Sequence, residues 1–311
     1  MTAQSAPVAA RPLGEPIRGQ GYWRQGFARF RRNPLGVTFA TVVLFLALLA
    51  LAAPLVSRYV THIDPTQQDL TVIFGPLGTK GHLLGTDELG RDVFTRLIWG
   101  SRVSLGVGFL TVTLYLLIGG TVGLVAGFYG GIVGELLMRL VDTILAIPVI
   151  FLLILVTSVL PIHIGPLHIE HDAVSISIVI AITSWGGVAR LVRAEVLSIK
   201  SREFITATRS IGATGTRIIV RHLLPNVLPV IIVTGSLGLG QIILVEAALD
   251  FIGLGVRPPT PTWGNMLFNS QSYFYHSTSL VTLPGLCILV AVLAANIVGN
   301  AVRDAFDPRL R

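Results

Sequence analysis

Apolar residues in this chain do not alternate with a strand's period of two; they gather in long runs separated by short polar segments. Six runs reach the roughly twenty residues that a helix rising about 1.5 Å per residue needs to cross about 30 Å of hydrocarbon. They cover 35–56, 103–128, 136–160, 174–194, 227–249 and 278–298. The pattern predicts an all-α integral membrane protein with six transmembrane helices. It divides the chain into a tail at 1–34, a first span at 35–56, a polar segment at 57–102 and a five-helix core at 103–300. That core contains a polar loop at 196–226, and a second tail follows at 301–311. Residues 1–20 mix Pro, Ala, Gly and Gln without apolar periodicity and read as disordered, ahead of a basic juxtamembrane segment.

Composition changes this picture only by strengthening it. The 311 residues are 52% hydrophobic and 13% charged, with a mean hydropathy of +0.75, so lipid is the expected solvent. A net charge of +7 could indicate nucleic acid, but the cations lie in short segments between apolar runs and form no single basic face, so no nucleic-acid partner is expected. They read as topology signals. Arg11, Arg18, Arg24, Arg29, Arg31 and Arg32 precede the first run, Arg190 to Arg221 surround the 196–226 loop, and Arg303, Arg309 and Arg311 end the chain. With an even number of spans all three segments share a side, which the positive-inside rule makes the cytoplasm, with both termini there. Ala50-Leu51-Ala52 resembles a signal-peptidase site, but the run before it is long and is preceded by more than thirty residues, so a retained anchor is expected.

Several chemistries are excluded. The two lysines, Lys80 and Lys200, do not follow a glycine, so the chain carries no G-x-x-x-x-G-K-S/T phosphate loop and cannot supply an ATPase. The lone Cys287 rules out an intramolecular disulfide. No nucleophile and base stand at catalytic spacing inside a span, so no catalytic residue is assigned and an intramembrane protease is disfavoured. His163, His168, Glu170 and His171 cluster in the loop between the third and fourth runs, but their spacing is poor for a metal, and none is assigned.

The loop is the informative polar stretch. Phe204, Ala207, Thr208 and Ile211 recur at i, i+3, i+4 and i+7, which predicts a short helix with one small-residue face. Gly212 suits its C-terminal cap, and a second helix from Thr216 would place Ile219, Val220, Leu223 and Leu224 on one side before Pro225 opens the next span. A second patterned block runs from Gly85 to Leu97, read as a helix capped by Thr86 with pairs Asp87/Arg91 and Asp92/Arg96 and an apolar face of Val93, Phe94, Leu97 and Ile98. A third runs from Glu246 through Asp250 and Gly255 to Pro258, Pro259, Trp263 and Asn265.

The loop reads Thr206-Ala207-Thr208, Gly212 and His222-Leu223-Leu224-Pro225. It resembles the cytoplasmic loop of permease subunits of bacterial ATP-binding-cassette importers, E-A-A, three residues, Gly, then I-x-L-P; the glutamate, second alanine and isoleucine differ. The other two blocks, with the stretch from Met138 to Pro148 and the tail Arg303-Asp304-Ala305-Phe306-Asp307-Pro308-Arg309, resemble the dipeptide, oligopeptide and nickel branch. The resemblance implies a type I importer permease fold in the bacterial cytoplasmic membrane and alternating access. It also implies partners: a homologous second permease, two cytoplasmic ATPases using ATP and Mg, and an extracytoplasmic binding protein; no cofactor is bound directly. It implies an ATPase-coupling role for Phe204, Thr206, Ala207, Thr208, Ile211, Gly212, Ala213, Leu224 and Pro225. Peptides are the expected cargo; a nickel or metal-chelate importer of the same family, or an ion-coupled carrier, is the alternative.

Ionisable groups at membrane depth need a partner or water. Arg139 and Asp142, three apart, are expected to pair; Glu246, Asp250 and Asn296 are candidates for lining the pathway or for joining helices.

Overall fold

The computed structural model describes residues 22–160, 162–164 and 167–306; the tail expected at 1–20 lies outside them, as do Arg309 and Arg311. The chain enters through α1 (Tyr22–Arg32) and, after Asn33 accepts the Gly36 N–H, continues as α2 (Pro34–Val56). Next come α3 (Val93–Tyr129), α4 (Gly131–Ala146), α5 (Val149–Ser158), α6 (Ala173–Ser184) and α7 (Gly186–Lys200). Two short helices, α8 (Glu203–Ser210) and α9 (Gly215–Ile218), lead into α10 (Leu224–Phe251), followed by α11 (Ser270–Tyr273) and α12 (Ser279–Phe306). Between α5 and α6, strands β1 (Ile162–Ile164) and β2 (Leu167–Ile169) form an antiparallel hairpin in which Ile162 opposes Ile169.

Four helical stretches are long and apolar enough to cross a membrane unbroken: Pro34–Thr61, Val93–Tyr129, Gly215–Phe251 and Ser279–Phe306. The expected third and fourth spans are each broken. α4 and α5 meet at 84°, α6 and α7 at 48°, and six spans result if each bent pair counts as one. The first break has a local cause: Ile147 is extended (φ −94°, ψ 126°) because it precedes Pro148, which disfavours the helical region for its neighbour. The second falls at Trp185, ahead of Gly186 and Gly187.

The 85–97 block corrects the sequence expectation. It is not a helix capped by Thr86: α3 starts at Val93, and Asp92 is the cap, accepting the Thr95 N–H at 2.7 Å. Gly90 sits at φ +71° with Asp69's carbonyl so close that a Cβ would lie 1.8 Å from it, so the chain turns there and Thr86 bridges back to Asp92. α3 then runs without interruption to Tyr129, so no boundary separates an amphipathic helix before 102 from a span after it.

α3 is the central helix, packed by α7, α10, α2 and α6. Its contact with α7 depends on small residues four apart. A Cβ at Gly119 would stand 2.6 Å from Trp185's carbonyl oxygen, one at Gly123 2.6 Å from Ala189's, and one at Gly127 2.7 Å from Val196's side chain. Lipid gives helices no hydrophobic reason to associate, so such close backbone approach supplies the dispersion energy instead. α10 pairs mainly with α12, and α2 lies on α12 and α3 with most of its surface outward.

Candidate functional site

Two polar constructions stand at opposite ends of α10. About 22 residues separate them, roughly 33 Å along the axis.

At the N-terminal end, α8 forms as expected and stops by a complete Schellman motif. Gly212 takes φ +84°, its N–H donates to Arg209's carbonyl at 2.9 Å, and the Ala213 N–H donates to Thr208's at 3.3 Å. Thr214 then caps the second helix, accepting from the Arg217 N–H. That helix is continuous with α10 through one π turn, Ile219–Leu223, which takes up the extra residue where Pro225 cannot donate its i−4 hydrogen bond.

The face of α8 differs from the one expected. The anchor is Ile205, 1% exposed, which the i, i+3, i+4 reading passed over. Phe204 remains 42% exposed and Ile211 85%, and Thr206, Ala207 and Gly212 are exposed as well. In the second helix Ile218 and Leu223 are buried while Val220, expected inside, is exposed. Around α8, Lys200 Nζ donates to Phe128's carbonyl at 2.6 Å, Lys200 and Arg209 both lie over the Phe128 ring, and Phe204 faces His222. Thr208, Ile211, Gly212 and Ala213 border a concavity of about 300 Å³ with Arg217 and Arg221 on its other side. Glu203 supplies an exposed acid in the first turn of α8, one turn before Thr206. Leu224 is half-buried and Pro225 exposed at the start of α10.

At the other end of α10, Glu246 is fully buried and Asp250 nearly so. Ser104 on α3 donates to Glu246 Oε1 at 3.1 Å, and the same hydroxyl accepts the Trp263 N–H at 3.2 Å. Asp250 accepts the Val256 N–H at 2.6 Å on one oxygen and the Thr262 hydroxyl on the other. Asn265 closes the loop, donating to the Val256 and Thr260 carbonyls and accepting the Thr262 N–H. Trp263 lies against Gly100 and donates its indole N–H to Leu97's carbonyl at 3.0 Å. These carboxyls therefore act as a buried latch that ties the loop after α10 to α3.

Asp87 is a second hub on this side. It accepts the Leu89 and Arg91 N–H groups and pairs with Arg91 Nε at 2.7 Å and Arg96 Nε at 3.3 Å. The expected Asp92/Arg96 pair is absent, because Asp92 is occupied as a helix cap and faces His82 Nδ1 at 2.9 Å. His163 and His168 occupy opposite positions in the β1–β2 hairpin. His171 beside it is buried near Arg257, and that burial first, then the Arg257 cation, lowers its pKa from the ordinary imidazole value.

The remaining candidates do not join either construction. Asp142 pairs not with Arg139 on its own helix but with Arg190 on α7 at 2.6 Å, since α4 packs against α7; both partners are more than half exposed. Arg139 is exposed. Asn296 on α12 is half-buried against α10, where a Cβ on Gly240 would stand 3.1 Å from its Nδ2.

Comparison with known proteins agrees over most of the length. Residues 119–311 match the family described as the binding-protein-dependent transport system inner membrane component, and residues 21–77 match the N-terminal TM domain of oligopeptide transport permease C. The chain is 39% identical to the dipeptide transport system permease protein DppC of Alkalihalophilus pseudofirmus, over 93% of this chain and 90% of that protein. It is 35% identical to the oligopeptide transport system permease protein OppC of Bacillus subtilis, over 93% and 90%. The glutathione transport system permease protein GsiD of Pectobacterium atrosepticum is also 35% identical, over 99% and 98%. In fold it is similar to the MetNI methionine ABC transporter in an inward-facing conformation, with a TM-score of 0.53 and 20% identity, covering 68% of this chain and 97% of that one.

Proposed function

The chain belongs to the binding-protein-dependent transport inner-membrane components, a multi-pass permease family whose members are not enzymes, and on that footing we propose how it works. It is the permease subunit of an ATP-driven importer that moves dipeptides or short oligopeptides across the bacterial inner membrane. The names of its relatives, dipeptide, oligopeptide and glutathione permeases, support a peptide cargo. Two ATPase subunits, a homologous permease and an external binding protein complete the assembly, and ATP and Mg belong to the ATPases.

The observation that carries the reading is α8. It is a C-capped helix with one fully buried side chain, Ile205; Phe204, Thr206 and Ala207 are exposed on its surface, and Ile211 and Gly212 are exposed just after it. Its successor is continuous with a full span, so a push on α8 travels along a rigid helix into the bundle. The end that carries α8 is cytoplasmic, and both termini lie there. Support comes from a cavity of about 790 Å³ lined jointly by Trp23 of α1, Arg202 before α8, and Arg303 and Phe306 at the end of α12.

The test is reconstitution with the partner subunits. Peptide uptake driven by ATP is expected. Gly212→Pro, which cannot adopt φ +84° or donate to Arg209, should lose at least tenfold in uptake per ATP hydrolysed while still inserting. Undiminished coupling in that variant would remove α8 from the transmission path.

A further inference from the structure

The two helix breaks and the middle of α10 border one cavity. It holds about 440 Å³, within the roughly 300 to 1,000 Å³ usual for small-ligand sites. Leu145 and Val149 flank the break at Ile147–Pro148, Ser184 and Gly187 flank the break at Trp185, and Gln241 on α10 lines the same cavity. Thr234 and Leu237 belong to this cavity and also to the 790 Å³ cavity below it, so the two form one groove running toward α8.

Irregular backbone at membrane depth survives only where protein buries it or where it lines a cavity. The chemistry of the upper cavity narrows the occupant. No Asp, Glu, Lys, Arg or His lines it. The Thr183 and Thr234 hydroxyls donate into their own helices, whereas Ser184 and Gln241 have no side-chain bond to described residues. Each can both donate and accept, and the Gln241 side chain is itself an amide. Gly187 adds room, because a Cβ built there meets nothing within 4 Å.

We propose that the upper cavity is the peptide-contacting part of the track: Gln241 and Ser184 hydrogen-bond the main-chain amides of an extended peptide in transit, and the uncharged walls there leave its side chains unselected. The inference rests on the importer reading and names where its cargo passes. Neutral hydrogen-bonding groups serve every peptide's N–H and C=O alike, while a fixed charge beside them in the upper cavity would sort peptides by side chain. The upper cavity therefore does not itself sort acidic from basic peptides.

The experiment uses the whole reconstituted transporter with its binding protein saturated, and follows uptake of lysyl and glutamyl dipeptides. Gln241→Glu should raise the lysyl-to-glutamyl uptake ratio and Gln241→Lys should lower it, a swing on the order of tenfold between the two variants. Gly187→Leu should fill the groove and cut uptake of both peptides at least tenfold. Gly106→Leu is the control: it is an exposed α3 position, again with nothing within 4 Å of a built Cβ but outside the groove, and should leave uptake unchanged. An unaltered ratio in both Gln241 variants, with Gly187→Leu matching Gly106→Leu and wild-type uptake intact, overturns the track and leaves the importer standing. Absence of ATP-driven peptide uptake by the wild-type assembly overturns both.

Discussion

The two ends of α10 are built from similarly polar sequence and solve opposite problems. At the far end, Glu246 and Asp250 are buried and knitted to Ser104, Thr262, Val256 and Trp263, so a loop more than ten residues long is fixed to the central helix. At the near end, α8 meets the body through Ile205 and a few contacts to Phe128, and most of its surface is open. Dense buried networks rigidify, because removing any member strands another buried group; a single buried side chain leaves a helix freer to shift as a unit. The contrast leaves one end of α10 fixed to the central helix and the other lightly attached.

The comparison can be broken most severely at Trp263. Trp263→Ala empties the site against Gly100 and removes the bond to Leu97, and should destabilise the purified protein by about 3 to 5 kcal/mol, read as a large fall in Tm in detergent. Asp250→Ala leaves the Val256 N–H and Thr262 hydroxyl without acceptors and should cost about 2 to 3 kcal/mol in the same measurement. Ile205→Ala sharpens the contrast. It should leave the global Tm nearly unchanged while the local opening energy of α8 falls by about 2 kcal/mol, seen as faster amide exchange over 203–210. A Tm loss equal to that of Asp250→Ala would show that α8 is as firmly built in as the latch. The smallest effect belongs to Asp142→Ala: its pair with Arg190 is exposed on both sides, so about 0.5 kcal/mol or less is expected.

Much of the near end was legible in the residues themselves. Gly212 as a C-cap and Pro225 at the head of a span follow from backbone rules that involve only adjacent residues, and both are present. The choice of anchor was not legible: a helix of eight residues offers two narrow apolar stripes, and Ile205 won over Phe204 and Ile211 because the body of the bundle lies on that side. The far end was less legible still. Asp87/Arg91 was foreseen as a local pair and exists, but within a turn created by Gly90's approach to Asp69. Arg139 and Asp142 stand at helical pairing distance, yet Arg190, 48 positions on, took the carboxylate. Glycines 119, 123 and 127 carried a readable small-residue spacing, and it was the α3–α7 contact that gave it meaning.

What the sequence determined alone was the number and length of apolar runs, hence a helical membrane protein, together with the caps and turns that depend on neighbours a few residues apart. Hydrocarbon enforces internal backbone hydrogen bonding on any long apolar run, so that outcome needs no knowledge of packing. The tertiary structure alone decided which face of α8 stays free and which carboxylates are buried. Those outcomes depend on groups brought together from positions such as Ser104 and Glu246, 142 residues apart, and no local pattern encodes that meeting.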